Sequence, residues 1–418
     1  MPASTNRRSP LMPLDEAMER LLAHALPLAR HERVSTFDAA DRVLAESIVS
    51  GLQVPPHDNS SMDGYAVRAA DVAGPGTVLP VTQRIAAGHA GESLAPASAA
   101  RIFTGAPMPA GADAVVMQED TEVLGEGAQV RINAVPVQGQ WVRRAGEDVR
   151  RGAVILQQGE RLKAASIGLA AGIGMDKLTV SARPRVALFS TGDELVMPGQ
   201  VPPEQMKPDA IYNSNRFFLC ALLRRLGCEV SDLGIVPDRL EATLDALKSA
   251  AEQHDLILTS GGVSVGEEDH IKPAVEQLGT LDLWQIGMKP GKPFAYGHIR
   301  RGGSGQTHFV GLPGNPVSSF VTFLLLVRPF LLKLQGATQL TVPSVPMRAD
   351  FALAKPDKRR EFLRARRNAH GGLDLFPNQS SGVLTSAHWA DGLIDHPAGA
   401  TIAEGDMVRF IPLAELLA

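Results

Sequence analysis

The densest set of reactive side chains lies in Thr259-Ser260-Gly261-Gly262-Val263-Ser264-Val265-Gly266-Glu267-Glu268-Asp269-His270. Glycines let a backbone turn tightly and bring its N–H groups against an anion. A helix that follows such a loop adds the positive end of its dipole. Carboxylates alone repel phosphate, so Glu267, Glu268 and Asp269 suit an anion loop only with a hard cation such as Mg²⁺ between acid and phosphate. The alternative is an acidic helix start that complements the dipole. Ser190-Thr191-Gly192-Asp193-Glu194-Leu195 has the same order of small residues, glycine and carboxylates. It reads either as a capping turn or as a second arm of one cation-assisted phosphate site. Lys289-Pro290-Gly291-Lys292-Pro293 holds two lysines between prolines, which stiffen a loop. Such a pair suits a tetrahedral oxyanion, or is two solvated lysines in a turn. Gly311-Leu312-Pro313-Gly314-Asn315-Pro316 runs straight into an apolar stretch. Proline is favourable in a first helical turn, and the free N–H groups there can receive an anion. Asp58 to Tyr65 and Phe103 to Pro109 are compact polar turns, readable as surface turns or as further pieces of a site. GxSxG, a Walker A loop and GxGxxG are all absent, which disfavours hydrolase, P-loop ATPase and nicotinamide readings.

The elements that must carry these loops follow from periodicity. Leu14, Met18, Leu21, Leu22 and Ala25 repeat at helical spacing up to Pro27, and a short helix is expected over Ala39 to Glu46. From Val54 to Val149 short β-branched runs alternate with Gly- and Pro-rich turns, predicting a β-rich lobe. Lys163 to Gly172 reads as a small-residue helix. After Arg185 strands at 186–189, 230–233, 256–258, 281–288, 294–296 and 309–312 interleave with helices marked by Ile211 to Leu226, Leu240 to Ala251, Ile271 to Leu278 and Val317 to Leu334. That alternation predicts a doubly wound α/β sheet, whose ligands bind beyond the carboxyl ends of its strands. The expected fold is multidomain α/β plus β. It comprises a discontinuous N-terminal region over 1–182 with the β-rich lobe at about 54–149, an α/β domain over 183–335, and a barrel-like β domain over 336–418.

With 418 residues, 44% hydrophobic residues and a formal net charge of −4, the chain can build several packed cores and carries no general basic field for nucleic acid. Local basic runs at Arg143 to Arg151 and Lys355 to Arg367 are solvated faces or anion sites. Cys220 and Cys228 are the only cysteines, without a CxxC spacing; a disulfide scaffold or zinc site is not expected, and a reducing compartment fits. Met1 to Pro10 lacks the apolar core of a signal peptide. The most apolar run, Val317 to Val327, is shorter than the ~20 residues of a membrane span and reads as a buried helix.

The motifs NSSMDGYAV, FTGAPMP, RRAGEDV, STGDEL, TSGGVSVGEEDH, KPGKP and LPGNPVSSF, in this order, resemble the molybdopterin molybdotransferase family, the MoeA type to which the E domain of gephyrin is related. The resemblance implies an α/β domain like that of the adenylyltransferase that acts before it. It also implies a cytoplasmic, elongated homodimer in which the β lobe of one subunit helps form the site of the other. The implied reaction cleaves adenylyl-molybdopterin, releases AMP and delivers molybdate to the dithiolene sulfurs with Mg²⁺, without nucleic acid or membrane. Contact with other molybdenum-cofactor biosynthesis proteins would follow. Carried over by motif, Asp63 and Thr104 fall in the partner-facing lobe. Asp148, Glu194, Asp238 and Asp269 become functional carboxylates, with Glu194 and Asp269 the expected Mg²⁺ ligands. Lys289, Pro313 and Pro316 also match. Ser190, Thr191, Gly261, Gly262, Ser264, Gly314 and Lys292 would line the phosphates, and Arg360 and Ser381 are candidates for molybdate. Gln285 departs from the pattern, standing where relatives carry a basic residue, so the far end of the substrate lacks its expected cation. Competing readings are an adenylyltransferase, a non-catalytic scaffold, and a molybdate-storage module.

Overall fold

The computed structural model describes residues 11–262, 270–303 and 305–417. Its first helix, α1 (Leu14–His24), begins after Pro13 and buries Leu14, Ala17 and Leu21. No helix forms over 39–46. Thr36–Asp38 makes one 3-10 turn. Asp41 then takes a left-handed φ of 63°, which breaks the expected periodicity, and Val43 and Leu44 form isolated bridges to Arg161 and Val180.

The β-rich lobe follows. Its strands are β1 (Gly64–Val67), β2 (Thr77–Ile85), β3 (Ala99–Ile102), β4 (Ala114–Met117), β5 (Thr121–Leu124) and β6 (Gln129–Ile132). They form one sheet in the order β4-β1-β3-β2-β6-β5. Alternate residues go to opposite faces: Tyr65 and Val67 pack with Leu79 and Val130, while Ala66 packs with Ile85, Ala100 and Val115. Helix α2 (Ala164–Gly172) lies outside this sheet, against the strand Val154–Leu156.

The central unit contains β7 (Arg185–Thr191), α3 (Ser214–Arg225), β8 (Glu229–Val236), α4 (Leu240–Gln253), β9 (Leu256–Ser260), α5 (Ile271–Leu278), β10 (Gly279–Gln285), β11 (Met288–Lys289), β12 (Pro293–Arg300), β13 (Gln306–Leu312) and α6 (Pro316–Leu334). The sheet order is β8-β7-β9-β13-β12-β10. Strands β8, β7, β9 and β13 run parallel; β12 runs antiparallel to both its neighbours, β13 and β10. The sequence alternation did not reveal that second feature, because β10, β12 and β13 follow one another without an intervening helix.

Both faces of the sheet are covered, so its strands read as continuous apolar runs. Val186, Leu188, Leu256 and Leu258 pack with α1, α3 and α6. Ala187, Phe189, Ile257 and Phe309 pack with α4 and α5. Each fully buried Leu, Ile or Phe contributes about 1.5–3 kcal/mol relative to exposure. Helix α6 is long and apolar enough to cross a membrane by composition, but 83% of its apolar window is buried in this core. Its middle, Phe323–Val327, widens into a π turn, a local bulge that accommodates Pro329.

The C-terminal sheet uses β14 (Val345–Arg348), β15 (Arg360–Arg367), β16 (Leu373–Leu375), β17 (Gly392–His396) and β18 (Met407–Pro412), with the helix α7 (Leu384–Trp389) between them. Its order is β11-β15-β17-β18-β14, with β16 on β15. The barrel-like expectation takes the form of an open half-barrel, whose edge strand β11 comes from the central unit. The divisions drawn on sequence are crossed elsewhere too. Helix α1 belongs to the central core, and Met12 bridges Ile286.

Candidate functional site

Four parallel strands end on one side of the sheet, and the loops that leave them enclose a cleft of about 820 Å³. Strand β7 delivers Thr191, Gly192 and Glu194; β8 delivers Asp238; β9 delivers Ser260, Gly261 and Gly262; β13 delivers Pro313, Gly314, Asn315 and Pro316. Gly382, from the C-terminal segment, closes the rim. Of the expected site residues, this brings together Thr191, Glu194, Asp238, Gly261, Gly262, Pro313, Gly314 and Pro316. Ser190 precedes them, buried in β7. Ser264 and Asp269 lie outside the described residues.

Sequence reasoning missed the side chains that tie these loops together. Asn215 is buried in the first turn of α3; its amide donates to Ser260 Oγ at 2.8 Å and to the Gly314 carbonyl at 2.7 Å. It therefore fixes the β9 loop against the β13 loop. Asn213 caps α3 by accepting from the Arg216 N–H. Its Nδ2 is buried beside the cleft with no partner among the described residues, an unspent donor for a ligand oxygen. The signal was present: Asn-Ser-Asn is a helix-start pattern, but the Ile211-to-Leu226 periodicity placed it inside a helix. Ile211–Tyr212 is in fact a short strand.

The backbone donors are fewer than glycine content suggested. The Gly261 N–H goes to the Leu312 carbonyl. In the first turn of α6, Pro316 has no N–H, Val317 donates to the Ser381 carbonyl at 2.9 Å, and Ser319 donates to Asn315. Ser381 thus contributes a backbone cap to α6, and places Gly382 at the rim. Gly262 has a φ of +68°, and a Cβ there would meet the Ile271 side chain; this turn requires glycine.

The lysines face elsewhere. Gly291, with a φ of +107°, packs against Thr322 of α6 so closely that no Cβ fits. The loop then directs Lys289 to the seam with the C-terminal sheet, where Nζ meets Glu361 at 2.8 Å and Asp357 at 3.1 Å. Glu361, then Asp357, hold the ammonium above its ordinary range against the opposing effect of desolvation. Arg359 chiefly, with Lys289 behind it, holds Asp357 far below the usual carboxylate range despite some burial. Lys292 lines a separate concavity of about 400 Å³ with Leu11 and Pro356 to Arg359. Arg360 pairs with both oxygens of buried Asp395, through Nη2 at 2.8 Å and through Nε, and with Asp15 at 3.0 Å. Most of its donors are held by carboxylates.

The lobe residues form a third group. Asp63 accepts from both the N–H and the hydroxyl of Thr104 at 2.8 Å each. Those bonds, the backbone one foremost, lower its pKa. Both residues are exposed. Asp148 lies apart from them, exposed in a groove with Val54, Leu169 and Gly172 of α2. The described lining of the cleft contains no residue of the β lobe.

Comparison with known proteins gives this arrangement its context. Residues 12–174 match the MoeA N-terminal region (domains I and II), 187–333 a probable molybdopterin binding domain, and 346–413 the MoeA C-terminal region (domain IV). A molybdopterin molybdenumtransferase of Haemophilus influenzae is 41% identical over 80% of this chain and 80% of its own. One from Synechococcus elongatus is 36% identical over 90% of this chain and 93% of its own. A molybdopterin biosynthesis MoeA protein of Pyrococcus horikoshii superposes with a TM-score of 0.82 at 27% identity, covering 96% of this chain and all of that one (100%). With relatives of that identity spanning nearly the whole length, the chain belongs to the molybdopterin molybdenumtransferase (MoeA) family.

Proposed function

We propose that this protein inserts molybdenum into molybdopterin, cleaving adenylyl-molybdopterin to release AMP, with molybdate as second substrate and Mg²⁺ assisting. The observation that carries the proposal is the convergence of all four parallel strand ends on one polar cleft, the place where open α/β sheets bind ligands. The phosphates would lie along Thr191, Gly262 and the first turn of α6, with Asn213 Nδ2 as a directed donor. Asn215 positions two of these loops and keeps the phosphoanhydride in line.

The donor chemistry fits Mg²⁺. Glu194 and Asp238 bring hard carboxylate oxygens to the cleft, and Asp269 completes the proposed set. Among the described residues no three His, Cys, Asp or Glu gather as a cage. Mg²⁺ commonly binds through one or two carboxylates and substrate phosphates. When bound it supplies positive charge to the phosphate oxygens as charge develops. Molybdate is a dianion and needs donors. Arg360 and Ser381 remain the candidates, and an Arg360→Ala protein should need more molybdate for half-maximal insertion. An unchanged molybdate dependence would remove Arg360 from that role.

Asp63 and Thr104 carry polar groups on a lobe that contributes nothing to its own chain's described cleft lining. We therefore assign them to the cleft of a second subunit, making the active form a homodimer. A cytoplasmic setting agrees with two buried free thiols, Cys220 and Cys228, and contacts with other cofactor-biosynthesis proteins would follow from the handover of a labile substrate. The test is direct. Purified protein with adenylyl-molybdopterin, molybdate and Mg²⁺ should release AMP and yield molybdenum cofactor. Adenylylation of molybdopterin from ATP instead would assign the preceding step.

A further inference from the structure

The described lining of the cleft presents Glu194 and Asp238 but no lysine, arginine or histidine. A phosphoanhydride carries negative charge that such a lining does not neutralise. Lys289 and Arg360 are bound to carboxylates at the seam, and Gln285 supplies no charge. Beyond the Mg²⁺ proposed above, the described lining offers the substrate no cationic side chain, and another surface can supply one.

The β lobe holds one. Arg84 on β2 and Arg101 on β3 are direct neighbours across a parallel strand pair. Like charges in that position repel, and here Phe103 contacts both: its ring centroid lies 4.5 Å from Arg84 Cζ and 4.7 Å from Arg101 Cζ. Arg101 is anchored, donating to the Gly64 carbonyl at 3.0 Å and to Gln118 Oε1 at 2.7 Å. Arg84 is exposed and has the ring alone; among the described residues it has no hydrogen bond or ion pair. Stacking orients a guanidinium while leaving its N–H edge available for a bidentate phosphate contact. The residue following Phe103 is Thr104, already bonded to Asp63, so the free guanidinium belongs to the same patch of the lobe as the Asp63–Thr104 pair.

We propose that Arg84 is a phosphate-binding residue, presented by the β lobe of one subunit to adenylyl-molybdopterin in its partner's cleft. This rests on the functional reading above, and the experiment separates the two. Wild-type protein is first assayed for AMP release; without release the functional reading itself fails. Given release, Arg84→Ala should raise KM for adenylyl-molybdopterin about tenfold with kcat changed less than about twofold. Arg84→Lys should recover part of the loss, because charge persists without the planar fork. Both substitutions are on the surface, and an unchanged melting temperature checks folding. An unchanged KM in Arg84→Ala overturns the proposal. Presentation across subunits is tested by co-expressing Arg84→Glu with Glu194→Gln. Random assortment makes about half of the dimers mixed, each with one complete site of two, so the co-expressed population should recover about a quarter of wild-type activity. No recovery above the separate variants overturns the cross-subunit assignment.

Discussion

The cleft at the strand ends and the seam beneath the C-terminal sheet are both polar, but they use charge in opposite ways. At the seam, Lys289, Arg359 and Arg360 are each paired with a carboxylate of the C-terminal segment, and Asp395 is 3% exposed. Charge there is neutralised internally and joins β11 and β15. In the cleft, Asn215 ties the β9 loop to the β13 loop, Glu194 and Asp238 stand in the lining, and Asn213 Nδ2 has no partner among the described residues. The difference teaches that a lysine conspicuous in a sequence, such as Lys289, can be held in ion pairs that no local pattern shows, while a buried donor without a partner, such as Asn213 Nδ2, marks a surface open to a ligand.

Four changes test that contrast. Glu194→Gln should lower kcat/KM for adenylyl-molybdopterin cleavage by about a thousandfold while leaving the circular dichroism spectrum unaltered; retained activity would remove the cleft carboxylate from catalysis. Asp395→Ala should do the reverse. It strips a buried carboxylate from Arg360 and Arg409 and should cost about 3 kcal/mol in urea unfolding. Native-like stability would show that the seam is not a structural ion network. Asn215→Ala should mix both behaviours, since it abandons Ser260 and the Gly314 carbonyl. A stability loss of about 2 kcal/mol should accompany a raised KM, and loss of stability with an unchanged KM would separate this residue from the site.

The smallest effect is in pH. Asp357 has a folded pKa well below 3.8, so its pairing stabilises the protein fully above that value. The contribution is lost as pH falls below 3.8 toward the folded pKa, because the unfolded chain takes up the proton first. The unfolding free energy of Asp357→Asn should accordingly fall less steeply than that of wild type below pH 4, by about 1 kcal/mol. Parallel curves would contradict the pairing.

Much of the central unit was legible because local pattern and tertiary burial agree there. Val186 to Phe189, Leu256 to Leu258 and the apolar helix after Pro316 are continuous apolar stretches, as strands or helices covered on both sides must be. The loops at Ser190 to Leu195, Thr259 to Gly262 and Gly311 to Pro316 were legible from small residues, glycine and acids, and these three do meet, whereas Asp238 joins them from a loop singled out only by the family resemblance. What failed depends on long-range contacts. Ala39 to Glu46 has helical composition, yet buried Arg42 pairs with Glu32 and donates to the Ser181 carbonyl, which fixes another path. The partners of Lys289 come from the C-terminal sheet, and no spacing rule reveals them. The docking of α1 into the central core is equally nonlocal. Asn215 was hidden by the opposite fault, a strong helical period that concealed a polar first turn.

The cleft, and not the lysine seam, is expected to receive the phosphates. The most direct measurement is a crystal structure of the protein soaked with AMP, Mg²⁺ and molybdate. The AMP phosphate is expected between Thr191, Gly262 and the first turn of α6. A phosphate seated on Lys292, Lys358 and Arg359, with the cleft holding only solvent, would contradict it.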